Sequence, residues 1–515
     1  MTDSLPRPTD AEEPSSERRA KGYLASTVKH GGMYAIGTIL TKAVGFIMLP
    51  VYTRVLTTVD YGILEILALS TDVLGMLVGL GVRQAVLRHY YQYESQEERN
   101  GVISTASLLL IAIFGLAGVI GFALAGPLTS ILLGPGQSDH FVKLAVAAFA
   151  LAALGDIPGV YLQARQRSQT FVASNMARLV LALSLNILFV VYLRLGVSGI
   201  FLSTIIASIV VGGYMATQML RETGMRFIGP RARELIMFGA PLMVWQVGSF
   251  VLHFSDRYFL RYNRSLAEVG LYALGYKLAM LLGTFVIGPF NGIWSAKSLE
   301  IAQREGDGAN EILASIMRQY NLALVSVALM LALFSTDVIH LTLGAEFHSA
   351  DRVVPILVLA VVLFGYRQIS QTGAMIARRP GLIAWSTTIA ACGAVLLNLL
   401  LIPPYGAMGA AVATAAAFGI EFLVMLAFAK RVHPVEVPFG QLARPLALAI
   451  VVWAAASIAV PSGASQFAGL AIRAGAALTY FVALAVSGIL TPAERVAIVG
   501  IMRDPSSLMR ALRKA

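Results

Sequence analysis

The stretch Gly101–Leu124 reads GVISTASLLLIAIFGLAGVIGFAL and contains no Asp, Glu, Lys, Arg or His. Coiled at 1.5 Å per residue it would reach about 36 Å, enough to cross a hydrocarbon core of roughly 30 Å. Its apolar residues show no alternation of period two, so a barrel strand is ruled out and a membrane-crossing helix is predicted. Stretches of the same kind recur along the chain. They run near Gly31–Leu49, Tyr61–Gln84, Gly101–Leu124, Phe141–Gln163, Gln169–Tyr192 and Gly196–Leu220, then Leu235–Phe259, Leu271–Trp294, Ile312–Phe334, Val353–Met375, Leu382–Ile402 and Gly406–Ala429. Two more, Leu442–Val460 and Phe467–Leu490, close the series. The expectation is an all-α polytopic membrane protein of about fourteen spans.

Composition agrees with that expectation. Of 515 residues, 57% are hydrophobic and 13% charged, and mean hydropathy is +0.74. A soluble domain carries roughly 25% charged residues. The net charge of +11 does not point to nucleic acid, because the basic residues sit in the breaks between spans. With the N-terminal tail inside (Arg18, Arg19, Lys21, Lys29), every second break is basic: Arg83, Arg88 and Arg99; Arg165 and Arg167; Arg221 to Arg233; Lys297 and Arg304; Arg378 and Arg379; Lys430, Arg431 and Arg444. The intervening breaks around Gly134 and Pro403 hold no Lys or Arg. This is the positive-inside pattern, and it predicts cytoplasmic termini. One cysteine, Cys392, excludes an internal disulfide and a cysteine metal site.

The predicted organisation is a polar tail over 1–29, a first lobe over 30–222, a second over 223–431, an added pair of spans over 432–490, and a cytoplasmic tail over 491–515. Thr491-Pro492-Ala493-Glu494 has the pattern of a capping box and starts a predicted surface or interfacial helix. The two lobes look like repeats at a spacing near 208–212 residues. Gly31-Gly32-Met33-Tyr34 matches Gly239-Ala240-Pro241-Leu242, and Asp60-Tyr61-Gly62-Ile63 matches Glu268-Val269-Gly270-Leu271. Ala164-Arg165 matches Ala377-Arg378, Asn186 matches Asn398, and Gly196 to Gly199 matches Gly406 to Gly409. Six spans per unit return the chain to its starting side, so the repeats are expected to be parallel.

Charges inside the spans are costly and mark function or pairing. Lys42 lies mid-way along the first span; Asp72 lies in the second, on a stripe with Glu65, Gly79 and Arg83. The seventh carries Gln246, His253, Asp256 and Arg257, and the eighth Tyr276, Lys277 and Asn291. Asn175 and Arg178 lie in the fifth, Arg318 in the ninth, Arg367 and Gln371 in the tenth, and Glu421 in the twelfth. A cationic, hydrated chamber between the lobes is one reading. There Lys42, Arg83, Arg178, Arg257, Lys277, Arg318 and Arg367 attract an anionic headgroup, with Gln246, Tyr276 and Asn291 for polar contacts. Asp72, Asp256 and Glu421 are the candidates for coupling to an ion. The plainer reading has Arg83, Arg257 and Arg318 reaching toward the span ends, Arg178 paired with a neighbouring helix, and His253 serving in packing. No phosphate loop, Gly-x-Ser-x-Gly elbow or His-Glu-x-x-His pattern is present, and every break is short. Movement of a substrate is favoured over catalysis, with no cofactor.

The run from Gly31-Gly32-Met33-Tyr34 through Lys42, Gly45-Phe46, Leu49-Pro50 and Tyr52 to Leu56-Thr57-Thr58-Val59-Asp60-Tyr61-Gly62 resembles the start of the polysaccharide-biosynthesis flippases. These belong to the multidrug/oligosaccharidyl-lipid/polysaccharide exporter superfamily. Leu162-Gln163-Ala164-Arg165 and Asn398 with Gly406 and Gly409 carry the same resemblance. It implies two six-helix bundles around a central cavity, often with two added helices. It also implies transfer of undecaprenyl-diphosphate-linked sugar repeat units across the inner membrane by alternating access, for O-antigen, capsule or exopolysaccharide. Coupling to H+ or Na+, basic cavity residues at Lys42, Arg83 and Lys277, and work beside polysaccharide polymerase and chain-length proteins follow from the same resemblance. Rival readings are a cation antiporter of the superfamily, which would favour an acidic cavity, a peptidoglycan-precursor flippase, and a membrane polymerase or ligase.

Overall fold

The computed structural model describes residues 45–304, 308–432, 439–461 and 465–488. Lys42, most of the first span and both predicted tails lie outside the described residues, including the capping box at Thr491. Among the described residues every long element is a helix, and eleven are long and apolar enough to cross a membrane. Gly229–Pro241 and Gln246–Asn263 form a twelfth candidate, bent by 50°. The bend lies where Pro241 removes a backbone donor.

The element Gly381–Val432 has 52 residues and would measure about 78 Å if straight, more than twice the hydrocarbon core. It is a hairpin. Gly406 has φ +56 and ψ −134, outside the helical region, and only glycine adopts such a backbone without strain. Beyond it the chain runs back along itself: Thr387 Oγ1 donates to Glu421 Oε1 at 2.8 Å, Ser386 meets Met425, and Gly393 faces Ile420. Arg264 ties the turn by donating to the carbonyls of Pro403 and Pro404, at 2.7 and 2.8 Å. Glu268 caps the returning helix at the Ala407 amide, 2.6 Å away. The eleventh and twelfth spans are therefore separate, as the apolar pattern indicated.

Several helices outrun their apolar stretches. The second extends over Thr58–Gln92, the eighth over Leu266–Arg304 and the ninth over Ala309–Thr342. Hydropathy marks the part in hydrocarbon, whereas Arg, Gln and Glu carry a helix onward into the polar interface. Leu80 and Gly81, both left-handed (φ +46 and +63), break the second span before Val82–Gln92.

The repeat is visible in backbone detail. After the fourth span, Gln166 (φ +55) closes a turn in which Gln166 N bonds Gln163 O and Arg167 N bonds Leu162 O. After the tenth, Arg378 (φ +56) does the same, with Arg378 N on Met375 O and Arg379 N on Ala374 O. The turns align Gln166 with Arg378, one residue away from the register that the Ala-Arg pairs suggest. Backbone geometry fixes this turn, and the residue types within it are interchangeable.

Contacts between the repeats are reciprocal. A Cβ at Gly62 would strike the Leu266 carbonyl, and a Cβ at Gly270 would strike the Thr58 carbonyl. Gly62 and Gly270 are equivalent positions at the 208-residue offset, as are Thr58 and Leu266. In the same way Gly344 abuts the backbone of Thr53, and Gly134 abuts the Arg261 guanidinium. When i meets j and j's counterpart meets i's, a two-fold axis relates the parts. The added pair, Phe439–Ala459 and Gln466–Val486, packs on the second repeat alone among the described contacts. Asn321 Nδ2 donates to Leu442 O at 3.2 Å, and Arg473 pairs with Asp337 at 2.6 Å.

Candidate functional site

The second span turns Ala68, Thr71, Asp72, Gly75, Met76 and Gly79 toward the fourth, where Ala145, Ala148, Phe149, Ala152 and Asp156 face them. Small side chains on both helices leave an open cavity of about 710 Å³, lined further by the third and sixth spans and by Gln246 of the seventh. The break at Leu80–Gly81 turns the chain so that Arg83 and Gln84 also line this space. Arg83 Nη1 stands 3.8 Å from Asp156 Oδ1, with 57% of the Arg83 side chain exposed. Arg178 lies behind, its guanidinium against Gly155 and donating to Ser208 Oγ at 3.2 Å. The described wall thus carries two carboxylates, Asp72 and Asp156, and one guanidinium.

Two cations from the second repeat, Arg257 and Lys277, gather where the second, seventh, eighth and twelfth spans meet. Tyr61 and Glu65 are one turn apart on the second span. Lys277 Nζ is 3.0 Å from Glu65 Oε2 and donates to the Tyr61 hydroxyl at 3.0 Å. Arg257 Nη1 reaches Asp256 Oδ1 at 2.6 Å, and Arg257 Nε lies 4.0 Å from Glu65 Oε1. Asp256 Oδ2 accepts from Tyr272 (2.5 Å) and from Thr414 (3.0 Å). The Arg257 guanidinium stacks 4.0 Å over the Tyr276 ring. Two positive and two negative side chains therefore balance across the boundary between repeats.

Exposure separates their roles. Arg257 is 1% exposed, whereas the Lys277 side chain is 43% exposed. Lys277 reaches the surface of the protein, whereas the Arg257 guanidinium is enclosed. A third pair is deeper: Arg367 Nε lies 3.1 Å from Glu421 Oε1 inside the second repeat, both buried. His253 fills the space beside them between the Phe364 and Phe418 rings, at 5.1 and 4.9 Å. Arg318 and Asn291 are half-buried and outside these groups; the Asn291 carbonyl accepts from Ser295.

The structure thus brings Asp72, Arg83 and Gln246 together, and Asp256, Arg257, Tyr276 and Lys277 together, and keeps Arg367 with Glu421 apart from both. Hydropathy reading passed over Asp156, and it placed Glu65 on the Asp72 stripe without assigning it a role at the site. Asp156 carries the same signal as Asp72, an acid in mid-span, here between Gly155 and Pro158. Among the described residues no three His, Cys, Asp or Glu side chains are arranged to hold a metal ion.

Breaking a buried pair by removing one partner costs about 3–5 kcal/mol, because the other charge is left in low dielectric. Asp256→Ala should therefore lower the melting temperature of the purified protein clearly more than Asp72→Ala, whose exposed carboxylate leaves no buried cation behind. Size-exclusion measurement after heating in detergent checks this, and equal losses would contradict the pairing.

Residues 27–294 match the family profile described as polysaccharide biosynthesis protein. An uncharacterised membrane protein of Haemophilus influenzae is 26% identical over 271 residues, covering 51% of this chain and 63% of that one. A probable low-salt glycan biosynthesis flippase of Haloferax volcanii, Agl15, is 26% identical over 196 residues, covering 37% and 40%. Each alignment spans less than two thirds of the relative's length. Among solved structures, the lipid II flippase MurJ in its inward closed conformation superposes with a TM-score of 0.69 at 15% identity, over 89% of this chain and 99% of that one.

Proposed function

The chain belongs to the polysaccharide biosynthesis protein family, and on that premise we propose that it is a flippase for lipid-linked sugars. It carries undecaprenyl-diphosphate-linked oligosaccharide repeat units from the inner to the outer leaflet of a bacterial inner membrane, for a surface polysaccharide. Both termini are cytoplasmic in this reading, which rests on the alternation of basic breaks.

The observation that carries the proposal is Lys277, a partly exposed ammonium within a membrane helix, tied to Glu65 of the other repeat. Oxygens of a diphosphate compete with the Glu65 carboxylate for that ammonium, since charge-assisted bonds to phosphate are strong. Arriving substrate would loosen the one ion pair that ties Lys277 to the first repeat and so favour separation of the lobes. Arg83 and Lys42 supply further positive charge, and Gln246 offers an amide to the sugars. Arg257, Tyr276 and Asp256 hold the eighth span in place rather than touch the substrate. Asp72, with Asp156 beside Arg83, is the site for a coupling proton or sodium ion. Arg367 and Glu421 brace the second lobe. A lipid tail remains in the bilayer during transfer.

A test is the fate of the lipid-linked sugar in cells lacking the gene. An oligosaccharide on a diphosphate lipid should accumulate and resist membrane-impermeant periodate added to spheroplasts; restored expression should make it susceptible. The second reading, an antiporter of organic cations, is favoured by the carboxylates Asp72 and Asp156 in the cavity wall. Sensitivity to organic cations with no accumulated lipid-linked sugar would decide for it.

A further inference from the structure

At the ends assigned to the outer face, the ninth, tenth, thirteenth and fourteenth spans enclose polar groups that the site above does not use. Arg473 Nη1 lies 2.6 Å from Asp337 Oδ1. The Asp337 side chain is only 10% exposed, and its other oxygen, Oδ2, is buried with no hydrogen-bond donor. Asp351 faces His340 at 3.2 Å. The neighbouring Arg352 is exposed and forms no ion pair or hydrogen bond among the described residues.

Two cavities of about 310 and 240 Å³ meet at these groups, sharing Thr336, Val460 and Arg473 as walls. Arg352 lines the first and Asp337 the second. Toward the membrane centre the larger one shares Ala332, Pro355 and Trp453 with an apolar slot between the ninth, tenth and thirteenth spans. That slot reaches Val325 on the ninth span, roughly 18 Å along the helix from Asp337 at 1.5 Å per residue. None of these three spaces shares a wall residue with the cavity at Asp72.

The slot itself runs roughly 10 Å along the ninth span, from Ala332 to Val325, and fits part of an alkyl chain. Its polar end lacks two things: an acceptor for Arg352 and a donor for Asp337 Oδ2. A buried carboxylate oxygen without a donor is unusual in folded proteins, and an ammonium has three N–H donors to give. We propose that this site holds one bilayer phospholipid with a phosphate and a primary ammonium, the phosphatidylethanolamine type of headgroup. One acyl chain lies in the slot, the phosphate meets Arg352, and the ammonium donates to Asp337. A choline head has no N–H and leaves Asp337 unsatisfied. A glycerol head adds negative charge beside Asp337 and Asp351 without an ammonium to balance it. The lipid joins the added pair of spans to the second repeat at the outer surface.

The test is native mass spectrometry of the full-length protein released from detergent containing equal amounts of phosphatidylethanolamine, phosphatidylcholine and phosphatidylglycerol. One phosphatidylethanolamine per chain should be retained, at least about tenfold over phosphatidylcholine. Arg352→Ala, which breaks no pair in the fold, should reduce that retention about tenfold. Ala449→Phe, which narrows the slot and leaves every charge in place, should do the same. Equal retention of the three lipids, preference for phosphatidylglycerol, or retention unchanged in both Arg352→Ala and Ala449→Phe would overturn the proposal.

Discussion

Lys277→Ala should abolish export of the lipid-linked sugar while the protein stays in the membrane at near wild-type level. A hydrogen bond to a charged group contributes about 1.5–3 kcal/mol, so removing the ammonium should weaken headgroup capture on the order of 10- to 100-fold. Its loss also leaves Glu65, whose side chain is 10% exposed, with only the more distant Arg257 at 4.0 Å. The two effects separate with a second variant. Glu65→Gln with Lys277→Gln leaves no unpaired charge and should restore thermal stability without restoring export. Lys277→Arg, which keeps the charge, should retain part of it. Lys42→Ala is expected to behave as Lys277→Ala does. Lipid-linked sugar reaching the outer leaflet at the normal rate in Lys277→Ala would remove this residue from the mechanism.

The second large effect is expected at Gly270. A leucine there would put its Cβ onto the Thr58 carbonyl, and backbone cannot yield as a flexible side chain can. Gly270→Leu should therefore keep the second and eighth spans apart where Gly270 meets Thr58 and stop transport in a folded protein. A reporter cysteine at Leu266, which is 7% exposed, would read this directly once Cys392 is changed to serine. A membrane-impermeant maleimide should label it several-fold faster with Gly270→Leu than without. Gly62→Leu should give the same result, since its Cβ meets the Leu266 carbonyl. Unchanged labelling in both would show that the seam tolerates separation by other means.

The spans were legible because they depend on local composition: uncharged runs such as Gly101–Leu124. The repeat was legible where glycine is obligatory. Gly62 and Gly270 permit backbone contact, and Gly196 and Gly406 both have positive φ. Helix rotation was not legible, because a long apolar helix offers no polar face to orient it. Lys277, Arg257 and Arg367 therefore read alike in sequence. In the structure one is accessible and two are closed off with Asp256 and Glu421. An isolated charge in hydrocarbon costs several kcal/mol, so most deep cations find a partner, and a count of positive residues overstates how basic the cavity is. Asp156 shows the converse: a single acid in a fourth span otherwise rich in alanine contributes half the carboxylates of the described cavity wall.

The crossed contacts of Gly62 with Leu266 and of Gly270 with Thr58 have the geometry of a boundary between two identical subunits, now enclosed in one polypeptide. Residues 45–223 alone display both surfaces of that boundary, Thr58 and Gly62 side by side on one helix. A polypeptide comprising only the first lobe would present a self-complementary face, the requirement for pairing with its own copy. Substitutions along this line should be tolerated in couples, a change at one glycine asking for compensation at the carbonyl it meets and leaving its mirror position free to differ.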